Sequence, residues 1–466
     1  MEILPTDIIT LIISKLPVKS LCRFKCVSKS WNSLICDPHF LILNLVHSLS
    51  SNKRLLIINY GTHLDSMSFD MGTNFEAKFL KRFDFPTHFS SGYDVSIVGS
   101  CNGLIALSFK NLDNPLLIDV VLWNPCSNTH FVLPSESLSS DDLGTDYTGF
   151  SFGFGYDYVS DDYKIVRIVD YFVNHDADRG DGGSDGGGDG VNDNVSGGGG
   201  GDDDRDSDGD DDNVGGGDDD NGSDSGGSDT GSPNRFGYII KEIKAYSLKD
   251  HCWKLVNVEV SGATIVWCDP GAVINNHIVH WMFWENLQYK PQIRGFDLLS
   301  MDWSNSLPLP DLIKKDELGY DSEGELLLNH NGFDPRDFVV LGVLDECLCL
   351  VTRICSKFDN VFVWVMKEYG VQESWTRLFN VVDAGIVGSL LSAPLGCSNG
   401  GNEFLLRKED DDGVLYHYNL SGKMMKVVSE ISRDLKISDV NVCVECLVST
   451  TKMMGVVVDE SQETNE

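Results

Sequence analysis

Two short motifs in the chain have residue types that could do chemistry. Gly396-Cys-Ser398-Asn-Gly400 matches the G-x-S-x-G pattern, in which a serine nucleophile stands on a sharp turn between a strand and a helix. The residues that follow, NEFLLRK, are typical of a strand, so this stretch predicts a turn at a sheet edge instead. From Asp204 the alternating aspartates match the start of an EF-hand loop, but the twelfth position is Gly215, where calcium needs a bidentate glutamate.

The spacing of the cysteines gives no stronger evidence for a chemical site than these two motifs do. Cys443 and Cys446 are separated by two residues, but no second cysteine pair lies at zinc-ribbon spacing. The other cysteines are scattered, and Cys22 and Cys26 are interpreted as small core residues. The sequence therefore predicts no catalytic residue, no cofactor and no metal site, and a protein that is not itself an enzyme.

Charge is spread unevenly over the 466 residues. Residues 176–234 contain 19 Asp and two Arg, a net charge of −17, whereas the whole chain carries −35. This stretch has almost no apolar residue to offset its ordering entropy, so it is predicted to be a disordered Asp/Gly-rich insertion. Nucleic acid and anionic membranes are excluded as partners by the acidic balance, because phosphate contacts need clustered Lys and Arg.

Targeting signals are not recognisable in the sequence. No apolar run approaches the roughly 20 residues of a membrane span, and the opening residues MEILPTD lack the basic region of an export signal. We therefore expect reduced thiols and a location in the cytoplasm, the nucleus or both. Residues 456–466 are predicted to be a flexible C-terminal tail.

The elements that would position any site differ between the two parts of the chain. Residues 6–16 are predicted to form a helix capped by Thr6, with Ile8, Ile12 and Leu16 at helical spacing. A second helix is predicted over 18–25 and a third after Ser28, ending at residues 37–38, so that three helices make a module over 1–45. This module has more apolar residues than its own core needs.

After residue 50 short apolar runs alternate with turn residues, which is typical of an all-β structure. The central aromatics Tyr246, Phe296, Trp364 and Tyr418 recur at spacings of 50, 68 and 54 residues. Repeats of this length predict a β-propeller of about six to eight blades over 50–455, with the acidic insertion inside one blade hairpin. One irregular β-sandwich is the alternative, which the length disfavours. The aromatics are interpreted as packing between sheets, with a ligand platform as the alternative.

The first 40 residues resemble an F-box. The matching positions are Leu4-Pro5-x-Asp7-Ile8, then Leu16-Pro17-Val18-Lys19-Ser20-Leu21-x-Arg23-Phe24-Lys25-Cys26-Val27-Ser28-Lys29-x-Trp31, then Leu34-Ile35 and Asp37-Pro38-x-Phe40. The remainder is similar to the F-box-associated, kelch-like domain of a large plant family. The segments that carry this similarity are SCNGLIAL (100–107), LWNP (122–125), GFGYDYVSDDYKIVRI (153–168), IKAYSLKDHCWK (243–254), LGVLDECLCL (341–350) and VWVMKEYGVQESWTRLF (363–379).

The resemblance implies a substrate-recognition subunit of an SCF-type (Skp1-cullin-F-box) E3 ubiquitin ligase. The F-box would dock on a Skp1-like adaptor and through it a cullin, while loops on one propeller face bind a protein substrate. By the family's pattern the adaptor contacts are Leu4, Pro5, Ile8, Ile12, Leu16, Pro17, Leu21, Val27 and Trp31. Internal helix packing is the alternative for each of them. We expect Leu4, Pro5, Ile8 and Pro17 on the adaptor side, whereas Leu21 and Trp31 could serve either role.

Three other interpretations stay open. The family includes defence-repressing F-box proteins and S-locus F-box proteins, which recognise ribonucleases. We lean towards the defence-repressing branch, so the S-locus branch is the first alternative. A stand-alone binding protein outside a ligase is the second alternative. An enzyme built on a propeller is the third, although the sequence shows no cluster of acids or histidines to support it.

Overall fold

The computed structural model describes residues 5–70, 77–85, 89, 92–136, 145–174, 237–261, 263–265, 271–285, 291–310, 339–354, 360–381, 392–398, 400–407, 414–428 and 436–448. Leu4, the predicted insertion 176–234 and the predicted tail 456–466 lie outside these residues. The described helices and strands outside 174–237 belong to one compact unit.

Four helices begin the described chain, one more than the sequence predicts. Their bounds are Thr6–Ile13 (α1), Val18–Lys25 (α2), Lys29–Ile35 (α3) and Pro38–Ser50 (α4). The cap predicted at Ser28 is confirmed, because its hydroxyl accepts a hydrogen bond from the Trp31 amide at 3.2 Å. The cap predicted at Thr6 is wrong, since Pro5 holds the capping position and no side chain caps the helix.

The fourth helix starts where the third helix was predicted to end. The Asp37 carboxylate accepts hydrogen bonds from the amides of His39 and Phe40, at 2.9 and 3.4 Å, and so caps α4. Pro38 is the first helical residue, where its missing N–H and fixed φ are tolerated. An Asp-Pro pair therefore ends one helix and begins the next.

The described strands form six sheets, and the propeller predicted from the repeats is confirmed, with six blades among these residues. Blade 1 contains Lys53–Asn59 (β1), His63–Asp70 (β2), Ala77–Asp84 (β3) and Asp439–Cys443 (β25). Blade 2 contains Tyr93–Cys101 (β4), Leu104–Asn111 (β5), Ile118–Asn124 (β6) and Thr129–Val132 (β7). Blade 3 contains Thr145–Asp157 (β8), Asp162–Asn174 (β9), Gly237–Ser247 (β10) and Cys252–Ser261 (β11).

The other three blades continue the same antiparallel pattern. Blade 4 contains Ala263–Ile265 (β12), Ala272–Ile274 (β13), Ile278–Glu285 (β14), Pro291–Asp297 (β15) and Asp302–Trp303 (β16), with β12 and β13 pairing different parts of β14. Blade 5 contains Val339–Leu344 (β17), Cys347–Ile354 (β18), Asn360–Met366 (β19) and Trp375–Val381 (β20). Blade 6 contains Gly396–Ser398 (β21), Glu403–Arg407 (β22), Leu415–Asn419 (β23) and Met424–Val427 (β24).

The ring closes through blade 1, which combines the first three strands of the chain with β25. In this pairing Leu55 lies opposite Cys443 and Asn59 opposite Asp439. Six hydrophobic clusters each join two successive blades, and one of them joins blade 6 to blade 1. The recurring aromatics Tyr246 and Phe296 are fully buried in such clusters, so their predicted structural role is confirmed.

Candidate protein-binding surface

Helix α1 presents an apolar stripe to solvent. Thr10 and Ile13 are buried, and the Thr10 hydroxyl is satisfied within the helix by donating to the Thr6 carbonyl at 2.9 Å. The opposite side of the helix lies outside the core. On that side Ile8 is 44% exposed and Ile12 is 54% exposed, with Leu11 between them. Large apolar side chains that lie together in water mark an interaction surface.

The stripe is flanked by residues that the Leu-Pro pairs place at helix starts. Pro5 and Pro17 precede α1 and α2, and both are exposed. Val27, in the turn between α2 and α3, is 64% exposed. Five residues predicted to contact an adaptor are therefore accessible without any rearrangement, namely Pro5, Ile8, Ile12, Pro17 and Val27.

The other predicted contact residues lie in different surroundings. Leu21 is fully buried against Ile35 and Phe40, so it could reach a partner only if the core of the helical module opened. Leu16 and Trp31 are half-buried, and Trp31 packs edge-on against Phe24 with ring centroids 5.3 Å apart. Leu4 lies outside the described residues. Burial thus supports internal packing for Leu21, the alternative that its position in the sequence left open.

The sequence analysis missed a second exposed apolar stripe. Ile42, Val46 and Leu49 lie along α4 and are all exposed. They face away from Asn44, whose side-chain amide donates to the Ser14 carbonyl at 2.8 Å and holds α4 against the end of α1. The signal was present as apolar residues at helical spacing after residue 38, but no helix was predicted there.

The charge of the helical module is opposite in sign to that of the whole chain. Residues 5–50 contain five Lys or Arg and two Asp, whereas the chain carries −35. Lys15, Lys19, Arg23 and Lys29 are exposed beside the apolar residues. An apolar stripe with a basic rim is complementary to an apolar groove with an acidic rim.

Of the motifs that could do chemistry, the stretch from Asp204 lies outside the described residues, and the others lie in or beside strands. Gly396–Ser398 is itself the edge strand of blade 6 and pairs with Glu403–Arg407, so the turn predicted over this stretch is wrong for its first three residues, and turn residues follow only from Gly400. Cys443 and Cys446 are buried, and burial raises the pKa of the Cys446 thiol to about 12, so the unreactive thiol is favoured. The prediction that Cys26 is a core residue is wrong, because it is exposed at the end of α2.

No group of three or more His, Cys, Asp or Glu that could hold a metal ion occurs within the described ranges. None of the helices described above is long and apolar enough to cross a membrane.

Comparisons with known proteins agree with this arrangement. The model of the F-box domain matches residues 1–43, and that of the F-box associated beta propeller domain matches residues 54–181. F-box protein CPR1 of Arabidopsis thaliana is 26% identical over 442 residues, which are 92% of this chain and 84% of that protein. F-box/kelch-repeat protein At3g23880 of the same plant is 35% identical over 175 residues, 36% of this chain and 45% of that protein.

Among solved structures, the β-propeller domain of the Trilobed protease from Pyrococcus furiosus aligns with a TM-score of 0.30 and 9% identity, covering 73% of each chain. The F-box match covers α1 to α3 and the start of α4, and the propeller match begins at β1. The chain therefore carries an F-box domain followed by an F-box associated β-propeller domain, and it is similar over most of its length to F-box protein CPR1.

Proposed function

We propose that this chain is the substrate-recognition subunit of an SCF-type E3 ubiquitin ligase. The observation that carries the proposal is the exposed apolar stripe of α1 within a domain that matches the F-box family. In this role the stripe docks on a Skp1-like adaptor, and a cullin joins through that adaptor. The propeller holds a protein substrate by its loops, which are free to vary while the strands hold the core.

The mechanism is proximity. A bound substrate is held near a ubiquitin-conjugating enzyme, so that attack by a substrate lysine becomes effectively intramolecular. The residues that transfer ubiquitin belong to partner subunits in this proposal, and the chain contributes position only. This role fits the buried, high-pKa state of thiols such as Cys446, which are poor nucleophiles.

The adaptor contact is tested by charge substitution in the stripe. Ile12→Asp places a carboxylate in the proposed interface and should weaken binding of a purified Skp1-like adaptor at least about thirtyfold, the effect of losing about 2 kcal/mol. Val159→Asp in the turn after β8 is the control, because Val159 is also exposed, at 76%, and lies in the propeller. The control should bind as the wild type does, measured by titration calorimetry. Equal affinities for wild type and Ile12→Asp would contradict the proposed surface.

Assembly with a ligase is tested by purification from plant extract. We expect a Skp1-like protein and a cullin to copurify with the wild type and to be absent from the Leu4→Ala, Pro5→Ala double variant, as identified by mass spectrometry. Proteins that stay bound to the double variant are then substrate candidates. Recovery of the adaptor without a cullin would instead support a stand-alone binding protein.

The finer proposal is a role in restraining plant defence. It is supported by the resemblance of the chain to defence-repressing F-box proteins, and it predicts immune receptors among the proteins bound to the double variant. The acidic balance of the chain is the observation that favours the alternative, recognition of a basic ribonuclease as in S-locus F-box proteins. A purification that recovers only ribonucleases would contradict the defence proposal.

A further inference from the structure

The segment after the last described strand runs between the F-box and the propeller. Residues 444–448, here called the strap, follow β25 directly. Leu447 is only 6% exposed and packs in the F-box core with Val18, Leu21 and Phe40. Cys126, in the turn between β6 and β7, packs against the same core. A strap residue and a propeller residue therefore complete the interior of the F-box.

A polar contact accompanies this packing. The Glu445 carboxylate accepts a hydrogen bond from the Val18 amide at 3.3 Å. Val18 is the first residue of α2, and the preceding Pro17 makes no side-chain cap, so this amide has no partner within its own helix. The negative charge also lies at the positive end of the helix dipole. The strap thus supplies the cap that the F-box sequence lacks at this position.

The propeller holds the strap through two of the segments that identified the family. Asn124 of LWNP donates from its amide to the Val448 carbonyl at 2.5 Å, and its side-chain oxygen accepts from the Cys126 amide at 2.8 Å. Gly103 of SCNGLIAL has a φ of 79°, and a Cβ there would lie 2.7 Å from the Val444 carbonyl oxygen. A side chain at residue 103 would therefore displace the strap.

A second attachment joins the end of the F-box to blade 1. Arg54, on β1, donates from its guanidinium to the carbonyls of Leu49 at 3.1 Å and Ser51 at 2.5 Å. These carbonyls lie at the C-terminal end of α4, where a cation also suits the helix dipole. The F-box is thus attached at two separate places, by α2 to the strap and by α4 to β1.

We propose that the strap fixes the orientation of the F-box on the propeller, with Glu445 and Leu447 as positioning residues. The inference rests on the proposed function, because a fixed orientation sets the distance between an adaptor-bound ligase and a substrate held by the propeller. Domains joined by a small contact move relative to each other, whereas a shared buried core restrains them. Such restraint keeps the substrate in reach of the transfer site.

The orientation is tested on the free full-length chain with spin labels on noncanonical residues at positions 19 and 367. Lys19 in α2 and Lys367 in the turn before β20 are exposed, and cysteine labelling is avoided because Cys26 is exposed as well. We expect a narrow distance distribution for the wild type, a broadened and shifted one for Leu447→Asp, and loss of hydrogen-exchange protection at the Val18 amide.

Three further variants separate positioning from stability. Glu445→Ala should broaden the distribution with little effect on folding, and Glu445→Gln should restore it, since the amide oxygen still accepts from Val18. Val440→Ala removes apolar volume from the same end of the chain, but Val440 packs between blades 6 and 1 and not on the F-box. It should lower the melting temperature and leave the distribution narrow.

Two outcomes would overturn the proposal. One is an unchanged distribution in both Leu447→Asp and Glu445→Ala, and the other is equal broadening in Val440→Ala. Adaptor binding is measured separately, and Glu445→Ala should bind as the wild type does while Ile8→Asp does not. If the wild type itself fails to bind an adaptor, the proposed function is wrong, but the distances still decide whether the strap fixes the F-box.

Discussion

The F-box leaves some of its large apolar side chains exposed, whereas the propeller buries side chains of the same types. In the F-box Ile8, Ile12 and Val27 remain in water, whereas every residue of β6 in blade 2 is buried. A module of about 45 residues has too little volume to bury all its apolar surface, but a ring of stacked sheets covers both faces of each sheet. Surplus apolar surface in the small module is therefore available for a partner, whereas the apolar surface of the ring holds the blades together.

The two regions also differ in how they end. The ring has no free first or last blade, because β25 completes the sheet that β1 begins. The F-box is open, and its core is completed by Leu447 from outside. We therefore expect substitutions in the ring to act on stability, and substitutions on the exposed F-box face to act on binding.

The largest effect is expected inside the ring. Phe154 is fully buried between blades 2 and 3, and Phe154→Ala should lower the free energy of unfolding by about 3–5 kcal/mol because it leaves a cavity. Val159→Ala, at an exposed site in the turn after β8, should change it by less than about 0.5 kcal/mol. Urea denaturation measures both variants. Equal midpoints would contradict the claim that apolar residues buried between blades hold the ring together.

The second prediction compares two positions within the F-box. Leu21→Ala should destabilise the chain by about 2–5 kcal/mol and expose the α2 amides to hydrogen exchange, because Leu21 is fully buried. Ile12→Ala should leave exchange unchanged and weaken adaptor binding. If Ile12→Ala increases hydrogen exchange as much as Leu21→Ala does, the exposed stripe stabilises the F-box fold. The proposed division between a buried stability residue and an exposed binding residue is then wrong.

The third prediction concerns a neutral group inside the ring. His280 is fully buried, its Nδ1 donating to the Ala272 carbonyl at 3.1 Å and its Nε2 accepting from the Tyr369 hydroxyl at 2.8 Å. Burial lowers the pKa of this imidazole from 6.5 to about 4, so the unfolded chain takes up the proton at higher pH than the folded chain.

The stability contributed by neutral His280 is therefore fully present above pH 6.5 and is lost as the pH falls through 4, by up to about 3 kcal/mol. His280→Gln should lose less stability over this pH interval than the wild type in urea titrations at each pH. His251→Gln, at an exposed turn position, is the control and should follow the wild type. Parallel curves for wild type and His280→Gln would show that this histidine is not the group responsible.

The smallest effect is expected at a helix cap in the F-box. Ser28→Ala removes the hydroxyl that accepts from the Trp31 amide and should cost about 1 kcal/mol. Ser33→Ala, within α3 and exposed, should be neutral or slightly stabilising, because alanine has the higher helix propensity. Thermal melts of the two variants should separate, and a Ser28→Ala variant as stable as Ser33→Ala would show that the cap contributes nothing.

Local signals in the sequence predicted much of the architecture. The bounds of α2, the Ser28 cap and the sheet-edge turn after Ser398 follow from residues within a few positions of each other. The same reasoning failed at Thr6 and at Asp37-Pro38. At the start of α1 the Pro5 carbonyl accepts from the Ile8 and Ile9 amides, so Thr6 is the first helical residue and not the cap. At Pro38, a proline is compatible with both the end of one helix and the start of another.

The division of the apolar F-box residues needed the tertiary structure. Ile8, Ile12 and Leu21 all recur at helical spacing in the sequence, and spacing alone does not say which side of a helix meets a core. Packing of α1 and α2 against α4 and Leu447 decides that Leu21 is inside and Ile12 is outside. A contact from more than 400 positions away cannot be read from a local pattern.

Local sequence signals are therefore enough for most helices and for the repeat of the strands, because helix caps, turns and apolar periodicity act over a few residues. The tertiary structure alone decided the contacts between distant segments. Lys241 forms a buried ion pair with Asp170, which joins β10 to β9 across the acidic insertion. Glu445 caps α2, and β25 closes the ring. Such contacts depend on chain topology. A local pattern of charge or hydrophobicity does not say which of many similar residues elsewhere in the chain will be the partner.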